Sequence, residues 1–142
     1  MRPQFFGLRV TLLIVILVNF VFAFLFVVSP ETLGAVYGII IVDAMHRFLA
    51  MVIGALLGVF ALGALLAFLL PKKYGTIIVM LLLMHFSLFL IDVVNLSRGD
   101  MALRALVPEM LYFLVISAAL VRFTPGRLRE EAPGMEGEKK VQ

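Results

Sequence analysis

The sequence predicts an all-α integral membrane protein. It is a four-helix bundle with both termini in the cytoplasm and a short outer interfacial segment between the first two spans. Three observations predict it. Four apolar runs, at 8–28, 48–70, 76–96 and 101–121, each reach the roughly 20 residues a helix needs to cross a hydrocarbon core of about 30 Å. Hydrophobic residues make up 63% of the chain and mean hydropathy is +1.15, well above the roughly 45–50% apolar content of soluble domains. Basic residues are distributed unevenly: Arg2, Arg9, Lys72, Lys73, Arg122, Arg127, Arg129, Lys139 and Lys140 fall on one side of the spans, against Arg47, Arg98 and Arg104 on the other. The positive-inside rule puts the richer side in the cytoplasm, and a bacterial inner membrane is the simplest location.

The elements follow in order. Arg2 and Arg9 suit the n-region of a secretory signal, but the apolar stretch behind them exceeds a signal h-region and has no A-x-A-like site. It is read as a retained first span. Ser29-Pro30-Glu31 has the form of a helix start, with Ser as N-cap, Pro at the first position and an acid against the dipole. Gly38 suits the end of that short helix, and the apolar residues after it place the segment at the outer interface. Asp43 is the N-cap expected for the helix that becomes span two.

Pro71-Lys72-Lys73 is too short for anything but a turn, which predicts an antiparallel hairpin of spans two and three. Leu96-Ser97-Arg98-Gly99-Asp100 joins spans three and four almost as tightly, and its Arg-Gly-Asp tripeptide is read as a turn and not as an adhesion motif. Residues 1–123 form one bundle domain. Residues 124–142, charged and poor in large apolar groups, are expected to be a disordered cytoplasmic tail. No internal repeat argues for an inverted-repeat transporter.

Composition removes several function classes. The chain has no cysteine, which excludes disulfides, thiolate metal sites and cysteine nucleophiles. Its net charge of +3 comes from basic residues at span ends, so membrane orientation explains it and a nucleic-acid partner is not expected. The two histidines, His46 and His85, differ in depth by about 15 Å at 1.5 Å per residue, too far for axial ligation of one haem. A carboxylate–histidine site from His85, Asp92 and Glu109 is geometrically conceivable but nonspecific, and no metal is expected. Neither a Ser/His/Asp arrangement, a phosphate-cradling glycine loop nor HExxH occurs.

The polar residues inside the apolar runs carry the functional information, because each is costly in lipid unless it is paired. Asn19 lies mid-span in the first run, His85 in the third, and Asp92 and Asn95 toward the outer end of the third. Arg104 lies near the outer end of the fourth, and Glu109 and Tyr112 closer to its centre. His85 and Asp92 are two turns apart and share a face. Arg47, Gly54 and Gly58 fall on one stripe of span two, flanked by Ala50 and Ala61, where small residues admit a close helix contact. Arg47 is therefore expected to point into the bundle toward Asp92 and Glu109, with Arg104 competing for either acid.

Two readings follow. In one, Arg47, Asp92, Arg104 and Glu109 form an ion-paired network fixing helix register, with Asn19, His85 and Tyr112 adding interhelical hydrogen bonds. In the other, Arg47, His85, Asp92, Arg104, Glu109 and Tyr112 line an outward-facing pocket for a ligand, a proton or a quinone head group. Pro108 withdraws a donor from the carbonyl of Arg104, so span four is expected to kink beside Glu109.

Ser29-Pro30 closing the first span, Tyr37-Gly38, Arg47 before a Gly/Ala-rich second span, and an acid-containing third span ending in Asn95-Leu96-Ser97-Arg98-Gly99-Asp100 occur together. In combination they resemble the small four-helix membrane proteins of the BphX-like and DoxX-like groups. The resemblance covers roughly residues 8–122. It implies a four-helix membrane fold and, through DoxX-like members associated with quinone-linked oxidoreductases, a link to quinone. It carries over no catalytic residue. The expected function is a non-enzymatic accessory subunit that binds a partner or lipid. The alternatives are a quinone- or small-molecule-binding subunit of a membrane redox system and a small proton-coupled transporter acting as an oligomer. The expected partners are the bilayer, other membrane subunits or further copies of the chain, with no resident cofactor unless it is a quinone.

Overall fold

A computed structural model describes residues 5–38, 40–99, 101 and 103–124. The five helices are α1 (Phe6–Val28), α2 (Pro30–Tyr37), α3 (Ala44–Leu69), α4 (Gly75–Arg98) and α5 (Leu103–Phe123). All but α2 are long and apolar enough to cross a membrane, and no strand occurs among the described residues. Each long helix turns large apolar side chains outward: Phe20 and Phe24 on α1, Val59 and Leu62 on α3, Leu83 on α4 and Val115 on α5 are all exposed. Such a surface is stable against acyl chains and not against water. Of the tail expected at 124–142, all but Thr124 lies outside the described residues, as do Arg2 and Asp100.

Local chemistry accounts for most boundaries. Asp43 caps α3, its Oδ1 accepting from the backbone N–H of His46 at 2.9 Å. Gly38 closes α2, and Gly99 closes α4, each at a φ of 72°, a left-handed conformation that costs glycine nothing. Pro30 opens α2, but Ser29 does not cap it. The Ser29 hydroxyl pairs instead with that of Thr32 at 2.6 Å, a competing local partner. Pro108 sits inside α5, which remains a continuous helix across it.

The closest packing joins α1 to α3, and the next closest joins α4 to α5. The hairpin neighbours α3 and α4 touch less extensively, although Gly63 lies against Ile77 across their turn. Side-chain size explains the ranking. Every buried residue of α3 is small: Ala50, Gly54, Ala61, Ala64 and Ala67. That stripe lets α1 approach to backbone contact, so a Cβ on Gly54 would sit 2.9 Å from the carbonyl oxygen of Ala23 and from Val27. Gly58 is not needed in the same way, because a Cβ there would lie 3.9 Å from Ala23, an ordinary distance.

The main apolar core lies in the half of the molecule that holds the described termini. Leu8, Leu12 and Val15 of α1 meet Ala64 and Ala67, Ile78 and Leu81, and Ile116 and Leu120 there. Gly7 at the start of α1 packs on Phe123 at the end of α5. The opposite half, covered by α2, holds the described acidic residues.

Gly54→Ala is expected to lower stability by about 1 kcal/mol or more, since overpacking costs of about 1–3 kcal/mol exceed the helix-propensity gain. Gly58→Ala is expected to be neutral or slightly stabilising. Thermal unfolding in detergent separates the two, and equal effects would contradict the packing described.

Candidate functional site

The site is built where α4 faces α5. His85 of α4 is fully buried, and its Nδ1 lies 2.7 Å from the carbonyl oxygen of Leu81, one turn back on the same helix. A carbonyl only accepts, so Nδ1 must carry the hydrogen. The neutral ring then turns its Nε2 lone pair toward the Tyr112 hydroxyl of α5, at 3.4 Å, which is long for such a bond. Tyr112 and Phe113 enclose the imidazole, with ring centroids 5.6 and 5.8 Å from it. This layer is aromatic and contains no carboxylate.

Two carboxyl groups lie further out. Asp92 sits two turns beyond His85 on α4, only 7% exposed, and its Oδ2 is buried without a hydrogen-bond partner. Glu109 sits one turn beyond Tyr112 on α5. Helical side chains lean toward the N-terminus of their own helix. Because α4 and α5 run in opposite senses past His85 and Tyr112, Asp92 leans down as Glu109 leans up. The two converge within each other's field.

Tyr37, at the end of α2, covers them from above. Its phenol is held well above its ordinary pKa by burial first, then by the carboxyls of Glu109 and Asp92. It therefore stays a neutral hydroxyl that offers a hydrogen.

The arginines expected to neutralise this pair are elsewhere. Arg47 reaches Glu31 of α2, Nη2 to Oε1 at 2.6 Å, with both side chains more than half exposed. It pairs with neither Asp92 nor Glu109. The reason is length. Gly54 is level with Ala23 and Val27, and α1 ends at Val28. Arg47, seven residues before Gly54, lies about 10 Å further along α3, past the end of α1 and within reach of α2. The Glu31 carboxyl is held below its usual range by its own backbone hydrogen bond first and then by Arg47.

Arg104 is exposed, and the only ion pairs among the described residues are Arg47–Glu31 and His46–Asp43. The four-residue ionic network does not assemble. Asn19 also differs from expectation: its amide donates to the Val15 carbonyl of its own helix at 2.9 Å and not to a neighbour. His85 does not join the two acids, and no cluster of three metal-ligating side chains occurs among the described residues.

Sequence reasoning placed Glu31 and Tyr37 at this end but missed them as members of the site. Glu31 was visible only as an acid in a helix first turn, and Tyr37 only as the residue before a helix-ending glycine. A shallow open groove of about 480 Å³ runs beside Arg47 along residues 41–51, with Val42, Phe48 and Met51 in its wall. Comparison with family models, with curated proteins and with solved structures finds no match for this chain.

A double-mutant cycle tests the new pairing. Arg47→Ala and Glu31→Gln should be non-additive in thermal stability, while Arg47→Ala and Asp92→Asn should simply add. The pH dependence has a defined sign. Glu31 and Asp43 are both held below their ordinary pKa, Asp43 chiefly by the His46 backbone N–H. Their contribution is complete above about pH 5 and is lost as pH falls through the folded-state values. A Glu31→Gln/Asp43→Asn variant should therefore show a flatter loss of melting temperature between pH 5 and 3 than the parent.

Proposed function

We propose that this chain is a four-span protein of a bacterial inner membrane, with both termini cytoplasmic, and that it works by binding and not by catalysis. In this reading it is an accessory subunit whose outer end, formed by Asp92, Glu109 and Tyr37 under α2, holds a partner segment or a lipid. The observation that carries it is the buried Asp92 carboxyl, whose Oδ2 has no partner in a surrounding that makes an unpaired polar group costly. Its neighbours supply negative charge and one neutral hydroxyl, which suit a cationic or hydrogen-donating group. They include no nucleophile with an activating base.

The orientation is supported by the basic residues: in the sequence nine lie on the side where α1 begins, Arg9, Lys72, Lys73 and Arg122 among them, against Arg47, Arg98 and Arg104 at the α2 end. A second reading is a quinone-binding redox subunit. It draws on the His85 layer, where an Nε2 lone pair and the Tyr112 hydroxyl are only loosely joined, and on the resemblance to the DoxX-like group.

Purification in a mild detergent, with mass spectrometry of copurifying proteins, lipids and cofactors, tests these readings. A membrane subunit or lipid lost from Asp92→Asn and Glu109→Gln variants is the expected result. A retained quinone, lost on His85→Leu, would replace it with the second reading, and a chain purifying with nothing bound would remove both. Because the chain has no cysteine, single cysteines report topology cleanly. Glu31→Cys should react with a membrane-impermeant maleimide in intact cells, and Lys72→Cys only after permeabilisation. The reverse pattern would invert the orientation.

A further inference from the structure

We propose that the end of the bundle where α1 begins is a binding site for the phosphate of an anionic phospholipid in the adjoining leaflet. This is independent of the carboxyl site at the opposite end. Arg9 is its centre. A basic residue that only sets orientation needs to lie free in the interface, but Arg9 is half buried, and its guanidinium carbon lies 5.8 Å from the centroid of the Phe68 ring of α3. Its Nε is buried with no acceptor, so the protein holds the group in place without neutralising it. A guanidinium stacked on a ring keeps its outer N–H groups for an oxyanion, which it binds as a planar fork.

Three more cations belong to the same end of the bundle, two in the turn between α3 and α4 and one near the end of α5. Lys72 and Lys73 occupy the turn just beyond Phe68, with Lys73 Nζ 5.4 Å from the Tyr74 ring centroid, and Tyr74 itself packs on the core at this end. Arg122 neighbours Phe123, whose ring lies against Gly7. The first turn of α1 contains no acid and no side-chain cap. All four acids described within the helices and their connections belong to the far end. Residues 125–142, outside the described residues, hold four acids and four bases and so leave the sign unchanged. Apolar side chains beside these cations, including exposed Phe6 and Leu69, suit the acyl chains that accompany a lipid phosphate and would not accompany a soluble anion. Basic clusters between transmembrane helices at the headgroup level are suited to anionic lipid for the same reasons.

The full chain in a non-ionic detergent is titrated with phosphatidylglycerol or with phosphatidylcholine. Native mass spectrometry reads the lipid bound, and the melting temperature reads its effect. Phosphatidylglycerol should bind and raise the melting temperature, and phosphatidylcholine should do neither. Arg9→Gln should weaken phosphatidylglycerol binding by about tenfold, the size of one charge-assisted hydrogen bond, while Arg104→Gln at the other end leaves it unchanged. If Arg9→Gln does not fold, Lys72→Gln/Lys73→Gln carries the same expectation. Equal binding of the two lipids, or an unchanged preference in the variants, overturns the proposal. So does an equal stabilisation by inorganic phosphate, which would make this a soluble-anion site.

Discussion

The contact on which the rest of the structure depends is the one between Gly54 of α3 and the backbone of α1 at Ala23. Its closeness requires a residue without a side chain, because a Cβ would meet the Ala23 carbonyl oxygen at 2.9 Å. That contact sets the level at which α1 ends relative to α3. It thereby decides that Arg47 stands beyond the end of α1, beside α2, and that Glu31 and not an acid of α4 or α5 is its partner. The Asp92 carboxyl is left without a cation among the described residues.

The result is a polarised protein. Its apolar core gathers where α1 begins and α5 ends, under a cluster of cations. Its buried carboxyl, Asp92, lies toward the other end, under a short amphipathic helix fastened by an exposed ion pair. Exposed pairs contribute little to stability, so the α2 cap owes its place more to the burial of Pro30, Leu33 and Gly34 than to Glu31. In lipid, where a lone carboxyl is costly, Asp92 at the α2 end is left unsatisfied by the chain's own side chains. A group from outside the chain has most to offer there.

Much of the architecture was legible from residue order. Pro30, Gly38, Asp43 and Gly99 mark helix ends because each acts through its own backbone or the next turn, a range that sequence spacing describes. The four long helices were legible because hydrocarbon thickness imposes a length on them. Gly54 was visible as part of a small-residue stripe, although the stripe could not tell that Gly54 meets backbone and Gly58 does not. The side-chain partners were a different matter. Arg47 and Gly54 do share a helix face, yet one lies against α1 and the other beyond it, since a helical wheel has no axial coordinate for the neighbouring helix. Asn19 was expected to bond across helices and instead satisfies itself on Val15, a choice that depends on how close another acceptor comes.

What residue order determined by itself is therefore the number and length of the apolar helices, the turns and caps between them, and the segregation of charge between the two ends. These are properties of single segments and of the solvent they must match. Only the tertiary structure decided which helices touch most closely, that Glu31 takes Arg47, that His85 faces Tyr112, and that Asp92 and Glu109 converge beneath Tyr37. Those outcomes turn on the relative axial shift of packed helices, set by the fit of one small-residue stripe against a backbone, and no pattern within a single segment encodes that shift.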